Sequence, residues 1–355
     1  MYESKELFWG RRIQGRHRRS IRCWPLRCLG LLLLLTLGFV TAEAQCYVYV
    51  PTHKSNSVAV IDTVTNRVVT VIPVQIQPFA AAVAPNGTFA YVTNSGWIFG
   101  SNSVSVIETA SNTVVATIPV GSFPVGVAFT PDGAFAYVAN EVSNDVSVIN
   151  TANRSEVARI GVGTNPWDVA VTPNGAFVYV TNQGANSVSV INTATNAVVK
   201  TVAVGSNPYG IAINPDGAHA YVVNSSSGSV SVISTSTNTV TATITVGGGP
   251  YRVAVTPNGS RVYVTNVATS SNISSAVAVI DTNTNTVVTT ITVGTQPHGV
   301  AVTPDGAFAY VSNFYDNSVS VVDTASNTVV DTVEGVATFP EAVAIALLPN
   351  AVSCR

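Results

Sequence analysis

From residue 47 onward the chain alternates short apolar runs, rich in Val, Ile, Ala and Tyr, with turns rich in Asn, Asp, Gly, Pro and Thr. The cleanest copy of the pattern is 124–140, P-V-G-V-A-F-T-P-D-G-A-F-A-Y-V-A-N. Similar blocks begin at Pro78, Pro166, Pro208, Pro250, Pro297 and, truncated, at Pro340. Each block joins two apolar runs through Pro-Asp-Gly or Pro-Asn-Gly, and each complete block ends in Tyr-Val-x-Asn. The Tyr of that ending falls at 49 (a degenerate first copy), 91, 137, 179, 221, 263 and 310, giving spacings of 42, 46, 42, 42, 42 and 47. A period near 42 with four strand-like runs per unit predicts an all-β, seven-bladed β-propeller of four-stranded antiparallel blades.

Within the unit that starts at Tyr137, strands are expected at 135–139, 146–150, 156–162 and 167–172, where β-branched and aromatic residues dominate. Proline presets φ at the first turn position, Asp or Asn bonds the following amides, and Gly takes positive φ. A second turn reads Asp/Asn-Thr-x-x-Asn, as in 281–285, with its last Asn suited to the left-handed position. The innermost strand alternates small and large residues (Ile211, Ala212, Ile213). That alternation predicts burial on both faces, so that a charge at Ala212 or Val171 destabilises strongly. The first copy begins with a second strand and lacks its own inner one, whereas 341–347 is a surplus inner strand. A blade shared between the termini therefore closes the ring and removes its open edges.

Residues 1–44 stand apart from the repeat. Seven Arg between 11 and 27 precede a 12-residue apolar run, Leu29 to Val40, and Ala42-Glu43-Ala44 has small-x-small form. This predicts a cleaved signal peptide at 1–44, a single propeller domain at 45–355, and no stable membrane span after cleavage. The destination is then periplasmic, cell-surface or secreted. Of the 16 basic and 18 acidic residues, 8 and 15 remain beyond residue 44, a formal net charge of −7. With two lysines and no basic cluster in that part, nucleic acid is excluded as a partner. Two cysteines remain as well, Cys46 and Cys354, both beside the closing blade, and they are expected to form a disulfide.

Tyr-Val-Thr-Asn at Tyr91, Tyr179 and Tyr263, together with the run from Pro297 to Gly306, resembles the YVTN β-propeller repeat family over 47–350. More distantly, the chain is similar to the seven-bladed lactonase group. The resemblance implies an exported, often cell-surface or surface-layer-like protein. The shared residues form turns and packing, so they carry no catalytic assignment across.

Local catalytic motifs are absent from the sequence: His53, His219 and His298 have no ligand spacing, and there is no nucleophile elbow or phosphate loop. No catalytic residue, metal or cofactor is assigned. Where equivalent positions vary between blades, the fold leaves them free for function. The position after the loop proline runs Phe79, Val125, Trp167, Tyr209, Tyr251, His298, Glu341, and the next runs Ala80, Gly126, Asp168, Gly210, Arg252, Gly299, Ala342. These positions should ring one mouth of the central channel. Phe79, Trp167, Asp168, Tyr209, Tyr251, Arg252, His298 and Glu341 are the ligand-binding candidates. Variable loops on the same face add Trp97, Phe99, Phe314 and Tyr315 as contact candidates. The sequence reading is a non-enzymatic exported scaffold that binds a protein, glycan or small molecule. The alternatives are a lactonase-like hydrolase or lyase using Asp168, Arg252, His298 and Glu341, or an architectural surface-layer protein.

Overall fold

A computed structural model of the chain describes residues 46–96, 101–267, 275–347 and 354. The signal-peptide reading of 1–44 and the loop aromatics Trp97 and Phe99 lie outside the described residues. Those residues form seven four-stranded antiparallel sheets, each a blade whose strands follow the chain from the innermost outward. Blade 2 is typical, with strands Pro78–Val83, Phe89–Asn94, Ser103–Glu108 and Thr113–Pro119. Blade 1 is the exception, since its inner strand is Ala344–Leu347 from the far end of the chain.

The turn chemistry works as the residues dictate. Asp132 Oδ1 accepts from the Ala134 amide at 3.0 Å, and Gly133 takes φ 70° between the two inner strands. In the outer hairpins Asn66, Asn112, Asn196, Asn238, Asn285 and Asn327 all hold φ between 50° and 55°. All of those left-handed asparagines except Asn285, whose Oδ1 is buried without a partner, also lock neighbouring blades together. Tyr49 donates to Asn112, Tyr137 to Asn196, Tyr179 to Asn238, Tyr263 to Asn327 and Tyr310 to Asn66, at 2.5 to 3.2 Å. A tyrosine buried in one blade thus satisfies its hydroxyl on the next blade's turn. In blade 3 the turn position is Arg154, whose guanidinium lies 4.9 Å from the Phe89 ring centre instead.

Closure is secured at three levels. Cys46 pairs with Leu347 and Tyr49 with Ala344 in an antiparallel ladder. Cys46 and Cys354 are disulfide-bonded, 308 positions apart. Thr63 Oγ1 donates to the carbonyls of both cysteines, at 3.2 and 3.0 Å.

The expectation that both faces of the inner strands are buried holds for the first four residues in blades 3 and 4, and for fewer in blades 2, 5, 6 and 7. Ala212, Ile213, Ala170 and Val171 are half-buried, as are the last two residues of the inner strands in blades 2–7. Each inner strand has one strand partner, so its other edge borders the central channel. Towards the Pro-Asp-Gly turns these residues are left partly uncovered.

Candidate ligand site in the central channel

Every inner strand of blades 2–7 carries a bulge at its start. In blade 6, Pro250 pairs with Asn266 and Val253 with Val264, so the inner strand advances one residue more than its partner. The same slip occurs after Pro78, Pro124, Pro166, Pro208 and Pro297. A bulge breaks the alternation of a strand and re-aims side chains. Two consecutive residues, Trp167 with Asp168 and Tyr251 with Arg252, consequently both reach the central ring.

The first of the two positions supplies a continuous chain of aromatic rings. Phe79 meets Trp167 edge-on at 5.4 Å, Trp167 meets Tyr209 at 4.7 Å, and Tyr209 lies 5.1 Å from Tyr251. Tyr251 is 4.5 Å from His298, which stacks on Phe314 at 4.3 Å, and Phe314 stacks on Phe339 at 4.5 Å. Rings from blades 2, 4, 5, 6 and 7 thereby meet around one end of the channel. Phe79 and Trp167 are 7 % and 9 % exposed, so the aromatics cover one another.

Beneath and beside them sit two acid–base pairs. Arg252 Nη1 bonds Asp168 Oδ2 at 3.0 Å, with both side chains nearly buried. Asp168 also accepts from the amides of Val169 at 3.0 Å and Ile211 at 3.3 Å. Burial pushes the Asp168 carboxyl above its ordinary range, and the Arg252 charge works against that rise. Arg252 spans the channel: its Cζ lies 5.9 Å from the ring centre of Phe79, on blade 2. Its Nε and Nη2 atoms are buried and have no hydrogen-bond partner, and the same is true of Trp167 Nε1. The second pair is His298 Nδ1 with Glu341 Oε2 at 2.9 Å. The same surroundings push the Tyr251 hydroxyl well up, chiefly through burial, and push His53 down for the same cause.

Small neighbours make room for these side chains. A Cβ on Gly210 would stand 2.9 Å from Arg252 Cα, and one on Gly126 would stand 2.7 Å from Asp168 Cα. Glycine is therefore required where adjacent inner strands approach this closely. The Thr of Tyr-Val-Thr-Asn stitches the ring: Thr181 Oγ1 accepts from the Asp168 amide at 3.0 Å and donates to the Tyr209 carbonyl at 2.6 Å. Thr265 does the same for the Arg252 amide and the His298 carbonyl. Where the ring residue is Gly126 or Gly210, Ala139 or Val223 replaces this Thr.

The structure brings all eight ring candidates together through these contacts. Of the four loop contact candidates, Phe314 and Tyr315 lie among the described residues. Phe314 is sandwiched between His298 and Phe339 within the ring, whereas Tyr315 is 58 % exposed. Sequence reasoning missed Phe339, His53 and Lys54, whose Nζ lies 5.4 Å from the Phe339 ring centre. It also missed Gln183, which donates to the Tyr209 hydroxyl at 2.7 Å, and Glu141, whose carboxyl burial pushes up. The signal for Phe339 was the column before the loop proline, where Gln77, Phe123, Asn165, Asn207, Gln296 and Phe339 all hold positive φ. Among the described residues no group of three or more His, Cys, Asp or Glu could hold a metal ion. No helix among them is long and apolar enough to cross a membrane.

A family model described as "Lactonase, 7-bladed beta-propeller" matches residues 39–159 and 127–246. Among solved structures, the chain is similar to a hydrazine synthase chain of Kuenenia stuttgartiensis. The identity there is 26%, covering 77% of this chain and 91% of that one, with a TM-score of 0.69. A functionally unknown protein from Desulfotomaculum acetoxidans is 20% identical, with 85% and 99% covered and a TM-score of 0.75. A putative 6-phosphogluconolactonase from Bacteroides fragilis is 18% identical, with 86% and 99% covered and a TM-score of 0.71. At these identities the last two share the fold alone. The comparison with curated proteins returns no match.

Proposed function

The chain belongs to the seven-bladed β-propeller lactonase family, and from that premise we propose that it binds a small ligand in the ring formed by Phe79, Trp167, Asp168, Tyr209, Tyr251, Arg252, His298 and Glu341. One observation carries the reading: the Arg252 side chain crosses the channel with two buried N–H donors unpaired. A buried donor without a partner costs about 1–3 kcal/mol, so a fold that retains one there favours a polar ligand that satisfies it. Aromatic walls with a few convergent polar groups are the usual make-up of a small-molecule site. A protein or glycan partner is less well supported, because Phe314 is engaged inside the ring and leaves Tyr315 as the exposed aromatic of its loop.

A second reading, hydrolysis of a lactone, is favoured by the His298–Glu341 pair. With Nδ1 bonded to Glu341, Nε2 of His298 is the ring nitrogen left to take a proton from water. The water oxygen then adds to the lactone carbonyl, the ring C–O bond breaks, and the departing oxygen takes up a proton, giving a hydroxy acid. Arg252 supplies positive charge for the oxyanion that develops. The disulfide between Cys46 and Cys354, with the apolar leader at 29–40, supports work outside the cytosol, in the periplasm, at the cell surface or in the medium.

Ligand screening by thermal shift, followed by hydrolysis assays on γ- and δ-lactones of sugar acids, tests both readings. Turnover lost in His298→Ala and Glu341→Gln, with folding intact, supports hydrolysis. Ligand-induced stabilisation without turnover leaves binding as the activity, and neither result for any compound sinks the proposal.

A further inference from the structure

We infer that the ring takes a ligand bearing a single carboxylate, held side-on by Nε and Nη2 of Arg252 with Trp167 Nε1–H as a third donor. The inference rests on the reading of the ring as a ligand site. Nη1 of Arg252 is fixed by Asp168 at 3.0 Å, which orients the guanidinium and leaves the opposite edge, Nε and Nη2, buried and unpartnered. That edge offers two parallel N–H bonds whose spacing matches the two oxygens of a carboxylate. The third unpartnered donor belongs to Trp167, whose ring packs on Phe79 at 5.4 Å, and Arg252 Cζ lies 5.9 Å from that same Phe79 ring. Three orphaned N–H groups from blades 4 and 6 therefore share one neighbourhood.

Charge narrows the ligand further. The eight ring candidates hold two carboxyl groups, Asp168 and Glu341, against one permanent cation, Arg252, with His298 tied to Glu341, and Lys54 at Phe339 and Glu141 near Tyr209 add one charge of each sign. A monoanion is tolerated beside Arg252, but a phosphate dianion would bring a second negative charge next to two acids. Phe79, Trp167, Tyr209 and Tyr251 offer ring faces and edges to a compact cyclic or flat body attached to that carboxylate. A hydroxy acid released from a lactone meets the same description.

Calorimetric titration of the purified protein with benzoate and gluconate, each against its neutral amide, tests the inference, with phosphate and chloride as competitors. We expect a carboxylate to saturate one site and its amide to bind at least tenfold more weakly. Trp167→Phe, which keeps the ring packing, should weaken that carboxylate several-fold. The pair Arg252→Met with Asp168→Asn, which leaves no buried charge unmatched, should weaken it about thirtyfold or more. An amide that binds as well as its carboxylate, or phosphate or chloride that displaces it equally, overturns the inference while leaving the ligand site standing. If no carboxylate, amide or inorganic anion binds, the inference and the ligand-site reading fall together.

Discussion

Arg252 on blade 6 reaches Asp168 on blade 4 at 3.0 Å, over the glycine, Gly210, that blade 5 places between them. The bond joins non-adjacent blades and sets a charge pair at the level where the inner strands are closest. Removing one partner leaves the other buried and unmatched, which typically costs about 3–5 kcal/mol. Arg252→Met alone should lower unfolding stability by that order in urea melts. Adding Asp168→Asn should recover most of the loss, and additive losses in the two single variants would contradict the pairing.

Asp168 also gives stability a pH dependence of known sign. Its carboxyl titrates above the ordinary range in the folded protein, mainly through burial, so the folded state binds the proton more tightly than the unfolded chain does. Its contribution is present below the ordinary carboxylate range and is lost as pH rises through the higher folded value. Replacing it with Asn should flatten that part of the stability-against-pH curve. An unchanged curve would show that Arg252 keeps the group ionised throughout.

Thr181 is the seam of the ring, bonded to the amide of Asp168 and the carbonyl of Tyr209. Thr181→Val keeps the shape and strips both bonds, so we expect a loss of about 2 kcal/mol and weaker ligand binding. Val223 occupies the equivalent place beside Gly210 without harm to the fold, so the variant should still fold.

Closure yields two further expectations. Tyr310→Phe removes the hydroxyl that donates to Asn66 at 2.8 Å across the blade 7–blade 1 seam, and it should cost about 1 kcal/mol. Cys46→Ser with Cys354→Ser should cost more, up to roughly 5 kcal/mol by loop-closure entropy, with the loss mirrored by dithiothreitol on the native protein. Equal melting of the native and reduced proteins would mean that the strand ladder alone holds the ring.

The fold was legible because its devices repeat. Pro-Asp-Gly turns and left-handed asparagines each state one local rule several times, and the surplus inner strand, expected at 341–347 and found at Ala344–Leu347, agrees with them. The ring candidates were legible for the opposite reason: Trp167, Asp168, Arg252 and His298 break a pattern that their neighbours keep. What escaped was whatever depended on depth and direction. The bulge after each loop proline, which turns both Tyr251 and Arg252 to the channel, leaves no mark on composition. Half-burial of Ala212 and Val171 depends on how seven inner strands spread around an axis. Phe314 joins the ring by stacking on His298, and Phe339, from a different turn of the repeat, covers its other side.

The most direct test of the account is a ligand-induced thermal shift measured in parallel on the native protein and on a folded Asp168→Asn/Arg252→Met variant. A saturable rise is expected for the native protein with at least one small carboxylate or lactone, and for the variant only at concentrations about thirtyfold higher or more. Equal rises in both would place binding elsewhere on the propeller and contradict the central ring as the functional site.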